Sequence, residues 1–201
     1  MSRLVSLLLV ALLVVSATAQ DEFPAEVKTF AEVAIAYRDG RIASLESQLA
    51  AMRKAKASKQ QFAQVKQQLD AIEKANGLPR PPMYFGDLKV GTVGVLMTKA
   101  DQDRPLIGNP DIAPLFRVVD VVGPTEAIVM LEDKWPLIVR GVDTTNFVDG
   151  RNEYLHDVFI VAGKETYNNA GGSTTSAFVL KKFDAFKQAE EYAKTLKKKK
   201  K

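Results

Sequence analysis

Residues 77–86 read GLPRPPMYFG, and the chain changes character across them. Pro79, Pro81 and Pro82 bar a helix and stiffen the segment toward polyproline geometry. Before this stretch the residues are helix formers. After it they fall into short runs rich in Val, Ile, Phe and Thr. The fold class that follows is α+β, with helices first and strands second.

On the N-terminal side, residues 22–76 contain no proline after Pro24 and are rich in Ala, Gln, Glu, Lys and Arg. Ile42, Leu45, Leu49 and Met52 are spaced 3-4-3, and Phe62, Val65, Leu69 and Ile72 repeat that spacing. Each set puts one apolar stripe on a helix face. Phe30, Val33, Ile35 and Tyr37 extend the first stripe upstream, and Gly40 weakens it at the join. Ser58 is placed to cap a second helix with Gln61 as its capping-box partner, and Asn76-Gly77 to stop it. The expectation is an antiparallel helical hairpin. One long helix that dimerises as a short coiled coil is the alternative.

On the C-terminal side the runs LKVGTVGVLM, LFRVVDVV, EAIVMLE, WPLIVRG, LHDVFIVAG, ETYNN and TTSAFVLKKF are separated by Gly-Pro, Asp-Gly and Gly-Gly turns. No helical pattern lies between them, which argues against a parallel sheet. They point to a small antiparallel β-barrel of SH3-like or OB-like type, with Gly86, Gly91 and Gly94 permitting bends. Phe183, Phe186, Ala189, Tyr192, Ala193 and Leu196 then share one face of a final amphipathic helix, expected to pack on the barrel or on the hairpin.

The first nineteen residues are of another kind. Arg3 precedes the apolar run LVSLLLVALLVVSA, and Ala17 and Ala19 stand at the minus-three and minus-one positions of a cleavage site before Gln20. This is the pattern of a secretory signal peptide, too short to span about 30 Å of hydrocarbon as an anchor. The organisation expected is therefore a signal peptide at 1–19, a helical hairpin or short coiled coil at 20–77, a Pro-rich linker at 78–82, a small β-barrel at 83–182, a C-terminal helix at 183–196 and a lysine tail at 197–201.

The chain has no cysteine. Thiol nucleophiles, Cys-ligated zinc, disulfides and a lipid-modified Cys after the signal are excluded. The formal charge of +4 belongs to the chain ends: without Arg3 and Lys197–Lys201, residues 20–196 hold 22 basic against 24 acidic groups, a net −2. A broad basic face for specific nucleic-acid binding is not supported. Lys197–Lys201, and the cluster Arg53, Lys54, Lys56 and Lys59, offer at most weak attraction to anionic surfaces.

The succession IVRGVDTTNFVDG, then FIVAGKETYNNAGGSTTSAFVLKKF, resembles a group of secreted small-β-barrel proteins of planctomycete-type bacteria, which carry a similar Gly-Val-Asp-Thr, Asp-Gly, Val-x-Gly-x-x-Thr-Tyr and Gly-Gly order. The resemblance covers about a quarter of the chain, residues 137–183. It implies an exported barrel protein of a bacterial envelope, and it transfers no activity, ligand or site residue.

One polar stretch invites a chemical reading. Asp143, Thr144, Thr145, Asn146, Asp149, Asn152 and the only histidine, His156, fall between two apolar runs. A triad needs a nucleophile touching a base that a third group orients, and no G-x-S-x-G elbow is present. His156 reads as a partly exposed residue one place into a strand. Asp143, Thr145, Asp149 and Asn152 are oxygen donors of the kind calcium takes, but their spacing is not that of a calcium loop. Asp149-Gly150 is a good hairpin dipeptide, so a structural turn is the expectation. GTVG lacks the Lys-Ser/Thr of a phosphate loop. Trp135 and Tyr84-Phe85 are expected to close an end of the core, and Leu106, Ile107 and Ile112 to plug the barrel or line a groove.

No catalytic, cofactor or metal residue is predicted. The functional expectation is a non-enzymatic exported interaction or envelope-associated module with a protein or envelope partner. The alternative is a ligand-binding barrel (carbohydrate, peptide or calcium) or a hydrolytic one, with its site at the 143–156 loop.

Overall fold

A computed structural model describes residues 23–75, 77–97, 115–168 and 172–199, with no side chains described beyond 196. The expected signal peptide at 1–19, the loop residues Leu106, Ile107 and Ile112, and the side chains of Lys197–Lys201 lie outside the described residues.

Helix α1 (Ala25–Lys54) starts behind Pro24 and passes through Gly40 without a break. Its 30 residues reach about 45 Å. The first half buries Val27, Phe30, Ala31 and Ala34 against the body, and Leu45 and Leu49 are buried further along. The expected upstream stripe is thereby corrected: Val33 is exposed and Ile35 and Tyr37 are half-buried. The alanines at 31 and 34 carry the stripe instead, because small side chains let the neighbouring elements come close.

Helix α2 (Lys59–Lys74) opens with the expected capping box. The Gln61 backbone N–H donates to Ser58 Oγ at 3.3 Å, and the Ser58 N–H donates to Gln61 Oε1 at 3.3 Å. α2 packs against α1, and its stripe Phe62, Val65, Leu69 and Ile72 is half-buried. The Arg53 guanidinium lies 5.5 Å from the centre of the Phe62 ring. The helix stops at Lys74, ahead of the expected Asn76-Gly77 signal, with Ala75 extended and Gly77 at φ +93°.

Among the described residues that follow, one eight-stranded sheet forms: β1 (Pro82–Tyr84), β2 (Val93–Met97), β3 (Leu115–Gly123), β4 (Glu126–Leu131), β5 (Trp135–Arg140), β6 (Asn152–Tyr154), β7 (Val158–Asn168) and β8 (Thr174–Lys182). Their spatial order is β1-β2-β7-β8-β5-β4-β3-β6, curled into a half-barrel. The expected all-antiparallel arrangement is corrected. β1 pairs parallel with β2, and β5 pairs parallel with β8. A parallel pair needs a long crossover, usually a helix. Here strands make it: after β5 the chain crosses to the far edge as β6, returns as β7 and doubles back as β8. The runs read as LHDVFIVAG and ETYNN are the single strand β7, bent by a register shift between Val161 and Gly163.

β1 lies partly inside the Pro-rich stretch, and Pro82 opens an edge strand, where a missing N–H does least harm. A Cβ on Gly94 would stand 2.5 Å from the Pro81 carbonyl oxygen, so any side chain there would push β1 off the sheet.

The concave face encloses the main core, which includes Met83, Leu96, Phe116, Val129, Leu137, Phe159 and Leu180. Phe85, just beyond β1, meets Trp135 at the start of β5 with ring centres 4.8 Å apart. These strands are not sheet neighbours, so the contact reaches across the curl. On the convex face, Val93 and Val158 receive α1 and α3 (Phe186–Lys199). Phe30 stacks on Phe183 at 4.6 Å and meets Phe186 edge-on at 5.5 Å. The Tyr192 hydroxyl donates to Glu32 Oε1 at 2.9 Å. The predicted apolar face of the last helix therefore packs on α1. The helix itself begins and ends three residues later than the sequence suggests.

Candidate functional site

The stretch Asp143–His156 is held by bonds within itself and to the backbone of β3 and the β3–β4 turn. Asp143 Oδ1 accepts the Thr145 N–H at 3.0 Å and the Thr145 hydroxyl at 2.6 Å, and these bonds hold its carboxyl below the usual range. Thr144 is buried; its hydroxyl donates to the Gly123 carbonyl and its N–H to the Pro124 carbonyl at 3.0 Å. Phe147 packs against the main core. The Arg151 N–H closes a turn onto the Val148 carbonyl at 3.0 Å, with Gly150 at φ +79°. The Gly150 N–H donates to the Val118 carbonyl at 2.9 Å, and the Val118 N–H donates to the Arg151 carbonyl at 2.8 Å.

Asp149-Gly150 is thus a tight turn, but it does not join two paired strands. The segment runs from β5 past the β3–β4 turn to the edge strand β6, which explains its need for anchoring. Asn146, Asp149 and Asn152 are exposed. His156 lies between β6 and β7 rather than inside a strand, exposed, with its ring stacked on Tyr154 at 5.9 Å. The neighbouring Asp157 is paired with Lys182 Nζ at 2.8 Å, so its charge is directed to another group. Among the described residues no three His, Asp or Glu side chains come together as a metal site. Trp135 remains 47% exposed while resting on Phe85, whose ring packs against the core.

The structure instead brings together residues that sequence reasoning did not connect. Where α1, α2 and the segment 77–80 meet, a cleft of about 270 Å³ opens. Tyr37, Arg38 and Arg41 of α1 form one wall, and Ala71, Ile72 and Ala75 at the end of α2 form the other. Gly77, Leu78, Pro79 and Arg80 close it. The small side chains at 71 and 75 leave the space open. Pro79 keeps the chain out of a helix, and the positive φ of Gly77 turns it back toward the sheet.

The three arginines are committed differently. Arg38 Nε and Nη2 donate to Asp39 Oδ1 at 3.3 and 3.2 Å. The Arg80 guanidinium lies 5.5 Å from the centre of the Phe186 ring. Arg41 Nε is buried and, among the described residues, has no hydrogen-bond partner. Burial pushes the Tyr37 hydroxyl above its ordinary pKa, opposed by the charge of Arg41, so it stays an O–H donor at neutral pH. Among the described residues the lining holds no carboxylate. A second hollow of about 330 Å³ lies beyond Gly77 and Leu78, with Glu190 and Lys194 of α3 in its wall; Arg38 borders both. The signal in the sequence was Arg38 and Arg41 one turn apart on the helix that carries Tyr37, with Arg80 between two prolines. Nothing in their spacing tied Arg80 to the other two.

No protein-family model, no curated protein and no solved structure matches the chain. Among the described residues no helix is long and apolar enough to cross a membrane.

Proposed function

We propose that the protein is a non-enzymatic, exported interaction module that holds an anionic group of its partner in the cleft between α1, α2 and residues 77–80. In this reading the two N-terminal helices are an antiparallel hairpin. The half-barrel is a variant of the SH3-like or OB-like design, and the chain leaves the cytoplasm through a signal peptide at 1–19 to work in or near a bacterial envelope. The resemblance at residues 137–183 and the N-terminal pattern support export. The lysines at 197–201 add weak attraction to anionic surfaces.

The observation that carries the reading is the cleft itself, bordered by three arginines and, among the described residues, by no carboxylate. Three guanidinium groups around one cleft favour an anion, which charge-assisted hydrogen bonds would hold. In the 143–156 loop, by contrast, Asp143, Thr144 and Thr145 are spent on the loop's own anchoring.

The test is an NMR titration of the purified protein with acetate and with inorganic phosphate. Saturable shifts at Tyr37, Ile72 and Leu78 that vanish in Arg41→Met are expected. Shifts that do not saturate, or that survive Arg41→Met, overturn the reading. Mass spectrometry of material made in a bacterial host tests export separately, with Gln20 as the expected first residue and an intact Met1 as the contrary result.

A further inference from the structure

We infer that the outer edge of β6 is a docking site for an extended polypeptide segment of a partner, added to the sheet as a further antiparallel strand with a basic residue facing Glu153 and apolar residues on either side of it. This surface is separate from the arginine cleft, and the inference does not depend on the anion-binding proposal.

A sheet that curls without closing keeps two edges, here β1 and β6. They are not equivalent. The Val95 N–H donates to the Pro81 carbonyl at 2.8 Å, so the backbone groups of Pro81 and Met83 turn toward β2 and those of Pro82 and Tyr84 turn outward. Pro82 has no N–H to offer, which guards that edge. At β6 the Val118 N–H donates to the Arg151 carbonyl at 2.8 Å, and Phe116 faces Glu153 two places along. Glu153 therefore bonds back to β3, and the N–H and C=O groups of Asn152 and Tyr154 point away from the sheet. No described residue takes them, and β6 has neither a proline nor a bulge. An extended peptide can add to such an edge through its own backbone. The strand is short, so side chains must supply the selectivity.

The side chains beside this edge say what fits. Leu115 and Tyr154 face each other across β3 and β6 on the convex side, 44% and 56% exposed. The His156 ring stacks on Tyr154. They form an apolar shelf against which the convex-side residues of an added strand would rest. On the concave side Glu153 is half-buried, and its carboxylate has no ion pair or hydrogen bond among the described residues. A residue placed opposite Glu153 meets that carboxylate directly, and opposite charges across a strand pair attract. The same geometry disfavours a second copy of this chain. A two-fold pairing of β6 with itself that uses Asn152 and Tyr154 of both strands sets Glu153 against its own copy, a like-charge pair. The pattern that fits is apolar-basic-apolar.

The experiment is an NMR titration of the purified protein with acetyl-Thr-Thr-Val-Lys-Val-Thr-Thr-amide, and with versions that carry Gln or Glu in place of Lys. Saturable shifts are expected at Leu115, Asn152 and Tyr154, with slower amide exchange at Asn152 and Tyr154. The Lys peptide should bind about two- to fivefold tighter than the Gln peptide, and the Glu peptide should be the weakest, the scale of one cross-strand pair. Methylating the backbone nitrogens of both valines, which face β6, should weaken binding at least about tenfold. Methylating that of Lys, which faces solvent, should leave it within about twofold. Glu153→Lys should reverse the order of the Lys and Glu peptides. Asn152→Pro removes an outward N–H without touching a bond to β3, and should abolish binding while circular dichroism shows the fold intact.

Binding in that order supports the inference. A Glu peptide equal to the Lys peptide, a valine-methylated peptide equal to its parent, or no saturable shift overturns it. Protection of the Asn152 and Tyr154 amides that rises with protein concentration alone also overturns it and gives the edge to a second copy. None of these outcomes bears on the anion titration at Arg41.

Discussion

Replacing Thr144 with valine exchanges its hydroxyl for a methyl group in a side chain of nearly the same shape. Thr144 is 1% exposed, and its hydroxyl donates to the Gly123 carbonyl at the end of β3. The substitution leaves that carbonyl short of a donor in a place water does not reach. Such a loss costs about 1–3 kcal/mol. Gly123 faces Glu126 in the β3–β4 register, so its carbonyl has a second source of bonding, and the cost belongs in the lower half of that range. For a chain of this size each kcal/mol moves the melting temperature by about 2–4 °C. The expected shift is therefore about 2–8 °C downward, read by circular dichroism during thermal unfolding. Thr144→Ser keeps the hydroxyl and should recover most of the loss. His156→Ala removes an exposed ring and should stay within about 0.5 kcal/mol of the parent. The reasoning is refuted if Thr144→Val melts with the parent. It is refuted equally if Thr144→Ser, which keeps the hydroxyl and loses only the methyl, is as damaging as valine, or if His156→Ala is the worst of the three.

Gly150→Val puts a β-branched residue at φ +79° and should cost about 1–3 kcal/mol, again more than His156→Ala in the same melting series. Phe30→Ala empties the ring stack with Phe183 and Phe186 and should cost about 3–5 kcal/mol, with faster hydrogen exchange in α3 as the local sign. Ser58→Ala removes the cap of α2 and should cost about 1 kcal/mol, seen as lower helicity and faster exchange in the first turn of that helix. Glu165 accepts two bonds from Arg140, at 2.7 and 2.8 Å, which hold its carboxyl below its ordinary value of about 4.5. The folded pKa is the lower one. The stability from this pair is therefore full above about pH 4.5 and lost as pH falls through the folded value, and Glu165→Gln should flatten the acid limb of a stability-versus-pH curve.

Features that depend on neighbours along the chain could be read directly. The Ser58–Gln61 capping box, the change of residue type at Pro79–Pro82, the Gly123-Pro124 turn and the apolar face of the last helix all involve residues within a few positions of one another, and periodicity or turn chemistry reports them. The 143–156 stretch was legible in its chemistry but not in its route. Asp149-Gly150 makes the tight turn its residues demand, yet whether the flanking strands pair depends on where β6 finds a partner, and that partner is β3. The parallel pairing of β5 with β8 was hidden for the same reason, because alternation tells which face a residue takes and is silent on strand order. Burial along α1 turned on what lay opposite: Val33 and Ala34 differ in hydrophobicity in one sense and in exposure in the other, since α3 and the sheet approach only the alanine side. The arginine cleft lay furthest from the reach of the sequence. Arg41 and Arg80 are separated by the whole of α2, and they come to border the same space only because α2 packs back on α1 and Gly77 turns the chain under it. A sequence specifies local conformation through short-range sterics and hydrogen bonding, whereas a site assembled from distant segments exists only once packing has closed the loop between them.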